Sequence, residues 1–428
     1  MAASSTSPGA LRARPITVAV ASPGRHLFEA IHDERVALVD VNSGPPNPSL
    51  VVFPCGHDRH FEKVTPAALP APVGASVASG ASALVFDSSV EGVKHKAHTT
   101  GELHDAVKGL GASPLNCVYV TQDRGFEREY REYCSSIGFD PVLAILNHDY
   151  WIWYAFAQYE AEGERVFEQR LDAFRSRPAH RARRFLSLNR TAREAKLLFL
   201  LSLHRDGLWD KGFVSFGGFQ RADQPMGEKP RPTPEQLARS IPGFDDKVAE
   251  LAPFLDALDA RGRVLLGMER HGWTRLELWN AGMAADLAEY DQSWFSVATE
   301  TEMRPRISRI TEKSLKPLAN FHPMLVLGNP GSLQMVRSYG FVTFEEIFDE
   351  SYDDELDPRR RFDMVYGELI RLCRLDEQEL HVMERRVEDK MIFNARWGFT
   401  EFPGAYRRQR DTAFVDEILA AVSRTASR

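Results

Sequence analysis

The segment from 295 to 328 carries acidic and basic side chains in an order suited to phosphate. An apolar, strand-like run ends in acid at Glu300, and Thr311-Glu312-Lys313 then predicts the start of a helix. A helix N-terminus presents N–H groups and about half a positive charge, so it favours phosphate, and Lys313 adds a full charge. Glu312 could accept hydrogen bonds from two ribose hydroxyls. The alternative is a capped helix, with Thr311 as N-cap and Lys313 as a solvated charge.

A second segment, Phe185–Gly218, has the same kind of organisation. It reads as a strand ending at Asn189, then Arg190, a helix starting near Arg193, and a strand bounded by glycine. The guanidinium fork of arginine can donate two parallel hydrogen bonds to a phosphate. Both arginines are therefore candidate phosphate ligands. The alternative is an ordinary strand-to-helix turn with arginines on the surface.

In this order, the two segments resemble the donor-binding domain of the α-1,3-fucosyltransferase family. That family's signature is an aromatic strand ending in Glu, then Thr-Glu-Lys, a helix, and an apolar strand that starts at Pro and ends at Gly, here Pro323 and Gly328. The resemblance covers about residues 185–350. Glu300-Thr301-Glu302 stands where the family has Glu-Asn-Ser, and Ile310 stands at its tyrosine-type position.

The resemblance implies a glycosyltransferase of the GT-B type, an α/β protein with two Rossmann-like domains facing a cleft. A nucleotide-sugar would bind the C-terminal domain, with a GDP-sugar such as GDP-fucose favoured. Two alternatives stay open: a CMP-sugar transferase of the Kdo or sialic type, suggested by the pair His322-Pro323, and a sugar- or nucleotide-binding protein without catalysis. The donor-binding residues implied are Asn189, Arg190, Arg193, Glu300, Thr311, Glu312 and Lys313.

The catalytic base is expected in the N-terminal domain, as in that family. The run 84–92 is a strand followed by acid, and a carboxylate there could take the proton of an acceptor hydroxyl. Glu91 is the candidate, by position alone, with Asp87, Asp123 and Asp149 as rivals. Its alternative role is an acid at a helix start.

The aromatic run 147–153 is a candidate acceptor surface, since aromatic faces pack against sugar rings. His148 and Trp151 are its candidate contacts. A hydrophobic patch between domains is an equally good interpretation of the same run.

No metal and no cofactor are expected, because no Asp-x-Asp motif follows a predicted strand. The acidic cluster Asp349–Asp354 could hold a divalent ion, although such a cluster is more often a solvated turn. The four cysteines are scattered, with no C-x-x-C pair, so reduced thiols are favoured over zinc or disulfides.

Strands and helices must position these residues, and the chain contains two sets of predicted strands. The predicted organisation is a disordered lead-in over 1–15, an acceptor-side α/β domain over 16–160, and a linking helix over 161–184. A nucleotide-sugar domain follows over 185–405, and the C-terminal helix, 406–428, packs back on the first domain.

Short apolar runs followed by polar or Gly-rich residues predict buried parallel strands. A Gly/Ala/Ser-rich stretch, Val73–Ala83, is predicted as a mobile loop. The predicted strands are Ile16–Ala21, Val36–Val41, Leu50–Phe53, Ala83–Phe86 and Cys117–Val120 in the first set, and Phe185–Leu188, Gly212–Phe216, Trp294–Thr299, Met324–Leu327 and Phe341–Phe344 in the second.

Composition excludes several classes of protein. The 428 residues are more than one domain with a single hydrophobic core usually contains. The net charge of -7 argues against a large nucleic-acid-binding surface. No apolar stretch approaches the roughly 18 residues of a membrane-spanning helix, and the N-terminus lacks a secretory pattern. We therefore expect a cytoplasmic protein whose partners are a nucleotide-sugar donor and a glycan or glycolipid acceptor, with at most peripheral membrane contact.

Overall fold

A computed structural model describes residues 15–21, 26–55, 64–90, 95–139, 143–157, 159–189, 191–220, 230–240, 245–264, 266 and 288–423. Two of the predicted site residues, Glu91 and Arg190, lie outside these ranges. The chain divides into two units. The first comprises Met1–Gln122, Phe126–Tyr150 and Arg408–Arg428, and the second comprises Asp123–Gly125 and Trp151–Arg407.

The first unit is built on a six-stranded parallel sheet in the order β2-β1-β3-β4-β5-β6. The last strand is four residues long and was missed in the sequence. The strands are β1 (Ile16–Val20), β2 (Val36–Asp40), β3 (Leu50–Pro54), β4 (Ala83–Ser88), β5 (Cys117–Thr121) and β6 (Ala144–Asn147), and the helices between them are α1 (Ala71–Ala78), α2 (Ala97–Gly109) and α3 (Phe126–Ser136).

Both faces of the central strands β3, β4 and β5 are covered, which explains why these strands are apolar without alternation. Val51 and Phe53 of β3 face a core shared with α1, α2 and α3. Leu50 and Val52 of the same strand face the opposite core, which includes Phe414 of the C-terminal helix, Arg407–Ser423.

The second unit has a four-stranded parallel sheet in the order β10-β9-β7-β8. Helices α4 (Tyr150–Ala157) and α5 (Gly163–Arg175) precede its first strand. The strands are β7 (Phe185–Ser187), β8 (Gly212–Val214), β9 (Phe295–Thr299) and β10 (Met324–Leu327), and the remaining helices are α6 (Glu194–Arg205), α7 (Pro234–Ser240), α8 (Val248–Arg261), α9 (Glu312–Ala319), α10 (Ser332–Ser338), α11 (Pro358–Arg374), α12 (Glu377–Arg386) and α13 (Glu388–Phe399).

The α/β class with parallel sheets is confirmed, but two local predictions are wrong. The stretch predicted as a mobile loop begins as α1, because Val73 and Val77 are four residues apart and are both buried. The predicted strand Phe341–Phe344 is not a strand. Its Val342 N–H and carbonyl instead bond the side-chain amide of Asn394, at 2.8 and 2.9 Å.

Within the described residues, no helix is long and apolar enough to cross a bilayer. In parallel sheets, ligands bind beyond the carboxyl ends of the strands. The carboxyl edge of the second sheet is the place where the predicted donor residues gather.

Candidate functional site

Asn189 joins the carboxyl ends of three strands in the second unit. Its side-chain oxygen accepts a 2.6 Å hydrogen bond from Thr299 Oγ1 at the end of β9, and its amide donates to Ser187 Oγ at 3.0 Å in β7. Its backbone N–H donates to Ser215 Oγ, just beyond β8, at 2.7 Å. The structure therefore places this predicted residue at the expected edge, where its side chain holds the strand ends together.

Glu300, the residue directly after β9, fixes the start of α9. One carboxylate oxygen accepts hydrogen bonds from the Thr311 N–H at 2.9 Å and from Ser314 Oγ at 2.7 Å. The other accepts from Thr311 Oγ1 at 2.9 Å. Only 1% of Glu300 is exposed. A carboxylate at a helix N-terminus is favoured electrostatically, so this arrangement stabilises both the acid and the helix.

The loop after β10 passes close to the same carboxylate. A Cβ atom added to Gly328 would lie 3.2 Å from Glu300 Cβ and 2.9 Å from Ser332 Oγ, so a glycine is needed for this close approach. Arg361 of α11 ties the two loops together by donating to the carbonyls of Gly328, at 2.9 Å, and Met303. Arg361 was missed in the sequence because it lies far along the chain.

Lys313 lies in the first turn of α9 with its ammonium beside acid. Its Nζ donates to Thr311 Oγ1 at 3.1 Å and to Glu312 Oε1 at 3.0 Å. Burial would lower the pKa of Lys313, but the carboxylates of Glu312 and Glu300 outweigh it and raise that pKa. Burial would raise the pKa of Glu312, but Lys313 and Lys316 hold it below its usual value. Both side chains therefore carry full charge at neutral pH.

Arg193 is the N-cap residue of α6 and is partly exposed. Its guanidinium makes no hydrogen bond or ion pair with any part of the chain that the structure describes. It lies close enough to Lys313 for their charges to repel. The two predicted phosphate ligands, from two different segments, therefore share one locality.

Lys196 belongs to the same locality, and the sequence analysis missed it. It lies one turn after Arg193 in α6, and only 2% of it is exposed. Burial, together with repulsion from Lys313 and Arg193, lowers the pKa of Lys196 to about 7, against attraction from Glu300 and Glu312. The spacing of three from Arg193 puts both side chains on one face of the helix and was the available signal.

The first-unit carboxylates are differently placed. Asp87, at the end of β4, is fully buried, and its oxygens accept from the Leu27 N–H at 2.6 Å and from Ser89 Oγ at 2.6 Å. Burial raises the pKa of Asp87 to about 6. Next to Leu27 lies His26, whose buried Nδ1 has no hydrogen-bond partner among the described residues. It is a further titratable group at this edge that was missed in the sequence.

The other rivals are also buried. Asp123, part of the second unit, accepts from the Gly125 and Ser308 N–H groups, both at 2.9 Å, and so anchors the arginine-rich loop. Asp149 is buried in the first unit.

The two predicted acceptor contacts fall in different units. His148 belongs to the first unit, where its ring packs against Phe414 at 5.0 Å between centroids. Trp151 belongs to the second unit and makes an edge contact with Tyr154 at 5.6 Å. The run 147–153 is therefore mostly packed against its own surroundings.

Two further sequence features lie outside the site. His322 is buried at the amino end of β10, where its ring nitrogens bond Ser296 Oγ and the Ser293 carbonyl, both at 2.8 Å.

In the acidic cluster, Asp353 accepts from the Leu333 and Gln334 N–H groups, at 2.8 and 3.0 Å, and so caps α10. Among the residues described, no three His, Cys, Asp or Glu side chains form a metal site.

Thr311 is at the centre of the site's hydrogen bonds, so its hydroxyl should matter for stability. We expect Thr311→Ala to lower the free energy of unfolding by about 1–2 kcal/mol, the usual value of an N-cap hydroxyl. Thr311→Ser keeps the hydroxyl and should stay within about 0.5 kcal/mol of wild type. Urea unfolding measures both, and equal midpoints for Thr311→Ala and wild type would contradict this assignment.

Comparisons with known proteins give fold-level likeness only. No family model matches the chain, and no curated protein matches it in sequence. One similar solved structure is an alpha,alpha-trehalose-phosphate synthase (UDP-forming) from Burkholderia vietnamiensis, with 11% identity and a TM-score of 0.41 over 89% of this chain and 74% of that chain. Another is an alpha1,3-fucosyltransferase, with 9% identity and a TM-score of 0.31 over 90% of this chain and 93% of that chain. At these TM-scores neither likeness indicates a function for this chain, and the residues of the site are the basis for the proposal below.

Proposed function

We propose that this protein is a glycosyltransferase that takes a sugar from a nucleotide-sugar donor, with a GDP-sugar such as GDP-fucose favoured. The observation that carries the proposal is the charge at the carboxyl edge of the second sheet. Four basic side chains, Arg193, Lys196, Lys313 and Lys316, lie around two carboxylates, Glu300 and Glu312. The excess of basic over acidic groups, with Arg190 one residue after Asn189, suits an anionic diphosphate.

Each donor residue has a proposed role. Arg190, Arg193 and Lys313 bind the diphosphate, Glu312 accepts hydrogen bonds from ribose hydroxyls, and Glu300 holds Thr311 in place. The leaving nucleotide gains negative charge as the bond to the sugar breaks. Cations fixed before the reaction stabilise that charge, which lowers the barrier.

The acceptor is a hydroxyl of a glycan, glycolipid or other molecule. Glu91 is the proposed general base, and His148 and Trp151 are the proposed acceptor contacts. The rivals have competing roles: Asp87 and Asp123 both accept backbone N–H groups in the interior, where an acceptor hydroxyl has no access. This supports Glu91 as the first residue to test.

The position of His322 in the structure makes a CMP-sugar donor less favoured than the sequence alone did. The pair His322-Pro323 suggested that donor, but His322 precedes β10 and is buried at the amino edge of the sheet. The candidate site lies at the opposite edge, where β9 and β10 end. A binding protein without catalysis would use the same donor residues, and turnover or donor hydrolysis distinguishes it.

Removing the Lys313 ammonium should weaken donor binding. We expect Lys313→Ala to reduce the binding free energy of a nucleoside diphosphate by about 1.5–3 kcal/mol, the value of a charge-assisted hydrogen bond. Calorimetric titration with GDP and UDP measures it.

Lys390→Ala is the matched control. Its side chain is 27% exposed, against 25% for Lys313, and also pairs with glutamate, but its partners are Glu345 and Glu346 and not a proposed donor residue. It should leave affinity unchanged. Equal affinities of Lys313→Ala and wild type would remove Lys313 from the donor site.

Turnover should survive chelation, because the proposed charge stabilisation comes from arginine and lysine. We expect the same rate of sugar transfer before and after dialysis against EDTA, measured by release of the nucleoside diphosphate. Loss of turnover, restored by manganese or magnesium, would instead assign a metal to the reaction.

Glu91→Gln keeps size and hydrogen bonding but removes basicity. It should reduce kcat by about a hundredfold or more, with nucleotide affinity unchanged. Asp87→Asn, Asp123→Asn and Asp149→Asn are the comparisons and should each reduce kcat less. If one of these three is inactive while Glu91→Gln turns over normally, the general base is that residue.

A further inference from the structure

Lys196 is a buried lysine whose side-chain nitrogen has no partner among the described residues. It lies in the first turn of α6, and its ammonium makes no hydrogen bond or ion pair with the described residues. Two cations, Arg193 and Lys313, repel it. A buried charge without a partner is strongly unfavourable, so buried charges are usually paired within the protein or with a ligand.

The neighbouring carboxylates are already committed. Glu300 accepts three hydrogen bonds from Thr311 and Ser314, and Glu312 pairs with the Lys313 ammonium at 3.0 Å. Neither forms an ion pair with Lys196. Neither carboxylate is therefore available to Lys196, and an anion that several cations can share would satisfy it.

We propose that Lys196 binds the diphosphate of the nucleotide donor and takes up a proton as the nucleotide binds. The proposal rests on the proposed function and deepens it. No bond other than that to the proton forms or breaks at Lys196: the proton comes from solvent on binding and returns when the nucleotide leaves.

The direction of the proton follows from the surroundings of the lysine. Without nucleotide, the pKa of Lys196 is about 7, so about nine-tenths of it is neutral at pH 8. The facing charges are Arg193 and Lys313, which disfavour the ammonium, and Glu300 and Glu312, which favour it. A bound diphosphate adds negative charge and favours the ammonium. Affinity should then fall as pH rises above 7, by up to about tenfold per pH unit.

The same residue predicts a pH-dependent stability. Between pH 7 and about 10.4 the unfolded chain keeps the proton on Lys196 while the folded chain has lost it. The contribution of this residue to stability therefore rises with pH across that window, and its destabilising effect is fully present below pH 7. Lys196→Met should raise the Tm most at pH 6, with a smaller gain at pH 9.

Calorimetric titration of the full chain tests the proposal at pH 8, where nucleotide phosphates, with a pKa near 6, are ionised. The probes are GDP, UDP and inorganic pyrophosphate, each titrated in two buffers of different ionisation enthalpy, which gives the number of protons taken up. We expect wild type to take up most of one proton, because the pKa of Lys196 lies below the pH of the titration. Lys196→Met should bind about tenfold or more weakly and lose that uptake.

Two more variants make the result specific. Lys196→Arg keeps the charge at every pH, so it should bind without the uptake assigned to Lys196. Lys390→Met removes a lysine that pairs with Glu345 and Glu346, and should keep that uptake.

The possible outcomes separate the two proposals. If Lys196→Met binds with wild-type affinity, or if proton uptake persists in both Lys196 variants, Lys196 is not the diphosphate ligand and the inference is overturned, while the donor site stands. If wild type binds none of the three probes, the proposed function itself fails, and the inference fails with it.

Discussion

The hydrogen bonds between the Glu300 carboxylate and the start of α9 are the interaction on which the second unit's site depends. One side chain at the end of β9 accepts three donors from Thr311 and Ser314. It thereby joins a strand end to a helix start eleven residues later. Because Lys313 follows in the first turn of that helix, the same bonds also fix where its ammonium lies.

The site combines side chains that are hydrogen-bonded within the chain with side chains that are not. Asn189, Glu300 and Thr311 have partners within the chain and are rigid for that reason. Arg193 and Lys196, by contrast, have side-chain cations that pair with none of the described residues. Such a division is typical of a binding site, since the first group supplies geometry and the second supplies interaction with a ligand. The buried Lys196 reduces stability below pH 7, which is the kind of local conflict that functional sites contain.

Carboxylates at strand ends are common to both units, but their position alone does not define their chemistry. Asp87 lies at the end of β4 much as Glu300 directly follows β9, and both accept backbone N–H groups from another segment. Asp123 does the same for the loop at Ser308. Each of these acids is structural in its contacts. A general base needs an oxygen within reach of the acceptor, and Glu91 remains the residue proposed for that role.

The sequence by itself determined the α/β class, nine of the ten strands, and the order Glu300, Thr311, Lys313, because apolar runs and helix starts are local signals. Only the tertiary structure decided which side chains are committed. It formed the hydrogen bonds from Thr299 to Asn189 and from Arg361 to the Gly328 carbonyl, and it placed His322 at the opposite edge of the sheet. It also removed the predicted strand at Phe341–Phe344, where Asn394, some fifty residues away, takes the backbone hydrogen bonds. Lys196 shows the reason: in sequence it is one more lysine on a helix, and its lowered pKa exists only because folding buries it beside charges from other segments.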